Sequence, residues 1–381
     1  MIVIFLCLAI LITYFSVETV HAHLRRRSIK LRIAVTGVRG KSSVTRLIAG
    51  ILQQNHLNVL GKVTGSKPVL LYPDGTEVAI NRKKKPSILE QVRVFLRTAS
   101  QLSVEGFVCE TMSVDPEILR CEIQNILKPR IIVIARLSVD HTDQLGESIE
   151  QVRMNIVRAC SAGSIIVTTK GNLDSASLKI LKKKRCPVIE TDIEQSSNRP
   201  EEYLEFDENM TLAIAACEVA GIVKSEIERT LQKIRGDIGA LRCWKLPSRV
   251  IAINAFAAND PDSTIKVFEK AREFLSDIVS IEKFVGVLNL RSDRVDRTIQ
   301  WLEQLKNWFP FEKLYVLGSD NRLFTRKLNR SNCHAVRIDQ FLTEIDKFDE
   351  GTVVFGFGNI ANDGMKLVDL WQERGVCLKS R

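Results

Sequence analysis

The sequence has no C-x-x-C pair, and its nine cysteines stand singly along 381 residues. An odd total without paired spacing excludes a disulfide framework and a zinc knuckle, and suits a reducing compartment. Cys109, Cys160 and Cys217 lie in apolar runs and read as core residues. Aromatics that stack on bases are scarce, with four Tyr and four Trp and no basic–aromatic interleaving. No nucleic-acid partner is therefore expected. Internal repeats and low-complexity segments are also missing. Charge of one sign is not extreme: 55 Lys and Arg against 45 Asp and Glu leave +10. Part of that excess is local, in Arg25, Arg26, Arg27, Lys30 and Arg32, with further runs at residues 82–85 and 182–185. Such a balance suits anionic ligands such as nucleotides and carboxylates, although the runs read most simply as solvated faces.

One long apolar stretch is present, from Ile2 to Val17, with Glu18 as the first charge. It is near the short limit for a bilayer span. A signal peptide is the rival reading, but no basic residue precedes the stretch and a basic cluster follows it. The positive-inside rule then holds the body in the cytoplasm, behind a single-pass anchor over residues 1–23 and a basic linker over 24–30.

After the linker, strand-like and helix-like segments alternate. Leu31 to Thr36, Phe107 to Cys109, Ile131 to Ala135 and Ser164 to Thr168 read as buried strands. Lys41 to His56, Ile88 to Leu102 and Ser148 to Cys160 read as helices. That order implies a parallel-rich α/β sheet covered on both faces. The pattern pauses between Gly236 and Leu246 and restarts. Arg249 to Asn254, Phe284 to Leu290, Lys313 to Gly318 and Thr352 to Phe355 then read as strands, and Pro261 to Leu275, Arg294 to Trp308 and Asn359 to Glu373 as helices. We expect a central domain over 31–245 and a smaller α/β domain over 246–381.

The strongest local signal is Val35-Thr36-Gly37-Val38-Arg39-Gly40-Lys41-Ser42-Ser43, which leaves a strand and opens a helix. Glycines let backbone N–H groups turn toward phosphate oxygens, and the helix N-terminus adds positive potential. Lys41 can reach the outer phosphates and the Ser42 hydroxyl can ligate Mg²⁺. The strict G-x-x-x-x-G-K-[ST] pattern is not met, because Val35 stands at the first glycine position. Glu110 ends a strand, where ligands of parallel sheets gather, and is a hard oxygen donor. A surface carboxylate is its competing reading. His141 alone among five histidines is flanked by acids, Asp140 and Asp143. A structural histidine is the alternative there.

A strand followed by T-G-x-x-G-K-[ST]-[ST] resembles the Mur ligase superfamily. Thr64-Gly65-Ser66 is similar to its phosphate-side hairpin, and Asp140-His141-Thr142-Asp143-Gln144-Leu145-Gly146 to its D-H-x-D-x-x-G segment. The resemblance sharpens toward the ligase subunit family of poly-γ-glutamate synthases. Gly37-Val38-Arg39-Gly40-Lys41-Ser42-Ser43-Val44-Thr45-Arg46-Leu47 looks like G-I-R-G-K-S-T-V-T-R-L, and Gly61 to Gly65 looks like G-K-T-T-G. Glu110 to Pro116 resembles E-C-M-A-V-N-P, and Asn254 to Asp260 resembles N-G-F-A-A-N-D. Arg291 to Thr298 resembles R-A-D-R-V-D-R-T, and Gly356 to Ile360 resembles G-V-G-N-I. The last motif continues Ala361-Asn362 rather than His-Gly, and residues 169–206 match poorly.

The resemblance implies a Mur-ligase-like phosphate-loop central domain and a Rossmann-like C-terminal domain behind one transmembrane helix. It implies an ATP-dependent amide ligase that forms an acyl phosphate, couples a glutamate amine to a growing poly-γ-glutamate chain, and releases ADP and phosphate. ATP with two Mg²⁺ ions, or Mn²⁺ in their place, would bind at Thr36, Gly37, Arg39, Gly40, Lys41, Ser42 and Ser43. Ser42, Glu110 and His141 would hold metal, and Asn209 and Arg242 would lie near the nucleotide. Asn259, Asp260, Arg291 and Arg294 would act from the second domain, Arg291 and Arg294 as carboxylate clamps. Small membrane subunits would be partners in export. Helix capping competes for Asn209, surface charge for Arg242, and a structural ion-pair network for the second-domain set. A Mur or folylpolyglutamate type of ligase with another acceptor, and a P-loop ATPase driving a membrane partner, remain alternatives.

Overall fold

A computed structural model describes residues 2–65, 67–82, 86–139, 144–195 and 198–379. The chain divides into two compact units, Met1–Asn198 with Phe206–Ile234, and Arg199–Glu205 with Arg235–Arg381.

In the first unit the described strands form one sheet in the order β4-β3-β2-β5-β1-β6-β7-β8. Its central strands are β2 (Val59–Val63), β5 (Gly106–Glu110), β1 (Leu31–Thr36), β6 (Ile131–Ile134), β7 (Ile165–Thr169) and β8 (Val188–Thr191), all parallel. β3 (Val69–Leu71) and β4 (Glu77–Ala79) add an antiparallel edge. Side-chain alternation sorts β1 between the two faces. Ile33 and Val35 pack with Val44, Leu47, Ile48 and Ile51 of the helix Lys41–Gln54 and with Met210 and Ala213 of the helix Asp207–Val219. Ala34 packs the other way, with Phe95, Leu96 and Phe107. Each fully buried aliphatic side chain contributes roughly 1.5–3 kcal/mol, so both helices are held by their apolar faces. The expected helix over Ile88 to Leu102 is present but irregular: Gln91–Leu96 forms a wide, π-type turn before regular helix resumes at Arg97–Gln101. A second wide turn covers Glu122–Leu127.

The N-terminal helix Ile2–Arg27 is long and apolar enough to cross a membrane, about 39 Å at 1.5 Å per residue. Its base is docked on the first unit. The Arg26 guanidinium donates to the carbonyls of Asn125 and Ile126, Arg25 donates to the Val92 carbonyl at 3.1 Å, and Glu18 pairs with Arg93 at 3.0 Å.

The second unit has its own sheet, in the order β13-β12-β11-β14-β10-β9-β15. β10 (Ile251–Asn254), β14 (Thr352–Gly358), β11 (Lys283–Leu290), β12 (Lys313–Gly318) and β13 (Cys333–Ala335) run parallel. β9 (Arg242–Lys245) and β15 (Val376–Cys377) form an antiparallel border. Because β9 pairs with β10, the segment before residue 245 is built into this sheet, and the long segment of this unit starts at Arg235. Helix Asp363–Arg374 begins after Asn359, since Asn289 Nδ2 donates to the carbonyls of Asn359 and Ala361 and holds that stretch as a loop.

Candidate active site

The phosphate loop sits at the carboxyl end of β1. Gly37 takes φ 124°, a conformation L side chains rarely adopt, and a Cβ there would lie 2.7 Å from the Ala135 carbonyl oxygen. The loop is stitched to the end of β6: the Val38 and Arg39 amides both donate to the Arg136 carbonyl at 3.1 Å. Gly40, at φ 85°, caps the helix that starts at Lys41. The Val44 N–H donates to the Gly40 C=O at 2.9 Å in the first turn of that helix, the end of a helix whose leading amides suit anionic ligands. The Lys41 ammonium donates to the carbonyls of Gly37 at 3.0 Å and Val38 at 3.4 Å, curled over the same turn. Ser43 is half-buried in the first helical turn.

Glu110 is buried at the end of the adjacent strand β5. One carboxylate oxygen, Oε2, accepts from Ser42 Oγ at 3.0 Å and from the Thr64 amide at 2.7 Å. Strand β1 therefore supplies the phosphate loop, and its neighbour supplies a carboxylate touching the hydroxyl that loop presents. Asn209, in the helix Asp207–Val219, lies behind Gly40, whose added Cβ would stand 2.3 Å from Asn209 Oδ1. The Thr36 hydroxyl is buried and finds no hydrogen-bond partner among the described residues. Asp140, His141 and Asp143, together with Ser66, fall outside the described residues.

These groups fit a nucleotide triphosphate with a divalent cation. Two hard oxygens from different elements stand 3.0 Å apart beside a helix N-terminus. A buried carboxylate favours a cation, and a buried orphan hydroxyl favours a further polar partner. No group of three or more His, Cys, Asp or Glu side chains gathers among the described residues. Mg²⁺ is usually held by one or two protein oxygens plus substrate phosphates and water. Gly65 packs against Ser42, and a Cβ on it would come within 2.4 Å of Ser42 Oγ. Gly65→Ala is expected to push that hydroxyl aside and raise the Mg²⁺ concentration for half-maximal activity about tenfold. An Mg²⁺ titration reads this out, and an unchanged midpoint would place Ser42 away from the cation.

Several further residues support the loop and the strand-end carboxylate. Asn172 pins the end of β6. Its Nδ2 donates to the carbonyls of Ile134 (3.3 Å) and Ala135 (3.1 Å) and to Thr168 Oγ1 (2.9 Å), and its Oδ1 accepts from the Leu137 amide (3.0 Å). Beneath Glu110 lies a polar group made of the buried Lys62, Gln91 and Glu122 and the half-buried Glu90. Burial pushes the Glu90 carboxyl up, but hydrogen bonds and attraction from Arg82 and Lys62 outweigh it and leave Glu90 below the ordinary carboxylate range. Lys62 is a lone charge in the buried strand Val59–Val63, and Glu122 stands among the buried residues Leu119, Ile123 and Ile126. For Lys62, a charge inside an apolar strand is the available signal.

The remaining expected residues belong to the second unit and line the carboxyl edge of its sheet. Arg242 pairs with Asn254 across β9 and β10. Its guanidinium donates to the carbonyls of Asp237 (2.6 Å) and Gly236 (3.0 Å) and lies 5.9 Å from the Tyr203 ring. Asn259 and Asp260 follow β10, and Asp260 caps the helix Pro261–Ser276 by accepting from the Ser263 amide at 2.9 Å. Arg291 follows β11 and forms a fork-type pair with Asp293, at 2.8 and 2.6 Å. That hydrogen bonding holds Asp293 below the ordinary carboxylate range. Arg294 is exposed at the start of the helix Val295–Asn307.

A phosphate loop facing a strand-end carboxylate, followed by a Rossmann-like unit, describes a nucleotide-dependent ligase. Residues 35–239 match the Mur ligase middle domain family, and residues 245–374 match the poly-gamma-glutamate synthase CapB C-terminal domain. The capsule biosynthesis protein CapB of Bacillus anthracis is 27% identical over 388 residues, covering 97% of this chain and 82% of that protein. The PGA synthase CapB of Bacillus subtilis is 26% identical over 365 residues, covering 92% of each. Among solved structures, the bifunctional folylpolyglutamate synthase/dihydrofolate synthase of Yersinia pestis, complexed with AMPPNP and Mn ion, superposes with a TM-score of 0.66. Its sequence identity is 13%, with 93% of this chain and 92% of that one covered. The chain belongs to the Mur ligase superfamily, as a CapB-type member, and is an ATP-dependent amide ligase.

Proposed function

We propose that this ligase builds poly-γ-glutamate. ATP would convert a glutamate-chain carboxylate into an acyl phosphate, and the amine of another glutamate would displace phosphate to form the amide. In the first step a carboxylate oxygen attacks the γ-phosphorus and ADP leaves. In the second the amine nitrogen attacks the acyl carbon, loses a proton, and phosphate departs. The observation that carries this reading is the meeting of Ser42 Oγ, Glu110 Oε2 and the Thr64 amide beside the phosphate loop. The CapB matches support glutamate as the substrate.

Phosphoryl transfer of this kind needs positioning and charge stabilisation more than covalent help. Lys41 would swing from its two loop carbonyls to the outer phosphates, and the amides of residues 41–43 would bind the phosphate oxygens. Ser42 and Glu110, with His141 for a second ion, would hold Mg²⁺ or Mn²⁺. When bound, those ions neutralise charge on the transferring phosphoryl group. Thr36 Oγ1 would lend its unused hydrogen-bonding capacity, and Asn209 would stand near the base. From the second unit Arg242, Asn259 and Asp260 would serve the nucleotide, and Arg291 and Arg294 the glutamate carboxylates. The apolar helix would lie in the membrane with the basic cluster and the body on the cytoplasmic side, beside small membrane subunits that export the polymer.

The test is the full chain in detergent with ATP, Mg²⁺ and labelled glutamate. ADP release should require glutamate and be matched by an amide-linked product that grows in size. ADP release indifferent to glutamate would overturn this reading in favour of an ATPase.

A further inference from the structure

The proposed reaction uses the carboxylate of Glu110 but leaves unexplained why so much charge is buried behind it. Lys62 has no exposed surface. Its ammonium lies 2.8 Å from Glu90 Oε1, donates to Gln91 Oε1 at 2.7 Å, and sits 3.2 Å from Met112 Sδ. Glu90 is held in turn by Arg82, at 2.7 and 2.9 Å. Gln91 uses its other end twice: Nε2 donates to Glu122 Oε1 at 2.6 Å and to the main-chain carbonyl of Glu110 at 3.3 Å. Glu122, fully buried, accepts from the amides of Met112 (2.9 Å) and Ser113 (3.1 Å).

These contacts have a common geometry. They grip the main chain at residue 110 itself and again at residues 112 and 113, directly behind a side chain whose front is gripped by Ser42 and Thr64. Lys62 ties the same group to β2, two residues before Thr64. Gln91 and Glu122 are each the first residue of a wide helical turn, an irregularity that recurs at functional sites. Burying charges costs several kcal/mol each before compensation, and well-packed apolar residues in their place are often as stable or more so. Stability alone therefore gives little reason for such a group. Placing a carboxylate at a fixed distance from a hydroxyl does, because outer partners of a metal ligand set its orientation.

We propose that Lys62, Gln91 and Glu122 are positioning residues that hold Glu110 in cation-binding register. The inference rests on the reading of Ser42 and Glu110 as the cation site. Its test measures Mn²⁺ binding by electron paramagnetic resonance on the full chain in detergent with a non-hydrolysable ATP analogue, alongside thermal stability. The Mg²⁺ dependence of kcat and the KM for ATP at saturating Mg²⁺ complete the measurements. Gln91→Leu and Glu122→Gln should each weaken Mn²⁺ binding by about ten- to a hundredfold, with KM for ATP changed less than about threefold, and high Mg²⁺ should restore much of kcat. Glu122→Gln keeps the side-chain shape, and Lys62→Met is the further variant should either fail to fold. Glu110→Gln is the reference. If it leaves Mn²⁺ binding unchanged, the cation-site reading fails. If it abolishes binding while the Gln91, Glu122 and Lys62 variants bind Mn²⁺ like the parent, whatever their thermal stability, the positioning role is overturned.

Discussion

Lys41→Ala should lose ADP release by a factor on the order of 10³ while keeping its fold. Removing one preorganised charge-stabilising donor from a transition state usually costs about 10²–10³, and Lys41 is the phosphate loop's ammonium, positioned to carry a full charge to the outer phosphates. The fold should hold because the side chain is half-buried at the first turn of the helix Lys41–Gln54. A cation there opposes the helix dipole, and the hydrogen bonds to the Gly37 and Val38 carbonyls join groups of the same loop. Circular dichroism and melting temperature should match the parent. Lys41→Arg should not restore activity, since a planar fork does not replace a compact ammonium on a short reach. Retention of more than a tenth of the parent rate in Lys41→Ala would remove the loop from the chemistry.

The second large effect belongs to Glu110. In Glu110→Ala the Thr64 amide and the Ser42 hydroxyl lose their shared acceptor. One buried donor left unsatisfied costs about 1–3 kcal/mol, partly offset because a buried carboxylate is itself costly without a cation. The melting temperature of the ligand-free protein should therefore fall by only a few degrees. The decisive reading is linkage. A ligand that binds only the folded state stabilises it by about 2.7 kcal/mol at a hundred times its Kd, so Mg²⁺ with a non-hydrolysable nucleotide should raise the parent's melting temperature measurably. That increment should disappear in the variant, and activity should fall by at least about 10². A variant stabilised by Mg²⁺–nucleotide as strongly as the parent would show that the cation sits elsewhere.

The contrast between these two residues and the group behind them shows how far local sequence reaches. Thr36, Gly37, Gly40, Lys41 and Ser42 are contiguous, and their role follows from a strand that ends, glycines that turn, and a helix that begins. Glu110 was visible as a charge closing an apolar strand. Gln91 and Glu122 were not, because they look like ordinary helix residues until a chain separation of 31 residues is closed between them. Asn172 lay in a stretch without recognisable pattern and gained its place only when β7 came beside β6. The helix expected from Asn359 starts at Asp363 because Asn289, on another strand, holds the intervening carbonyls.

By itself the sequence determined the strands β1, β5, β6, β7, β10, β11, β12 and β14, the helices Lys41–Gln54, Ile149–Ala159, Pro261–Ser276 and Val295–Asn307, the phosphate loop and the apolar N-terminal helix. Each depends on periodicity or on neighbours a few residues apart, where backbone sterics and side-chain spacing suffice. Tertiary structure alone decided that the Glu110 carboxylate meets Ser42 and Thr64, and that Lys62, Gln91 and Glu122 lie in the dark beneath it. Those contacts join segments whose approach depends on sheet order and on the burial of both faces. No local preference encodes that order.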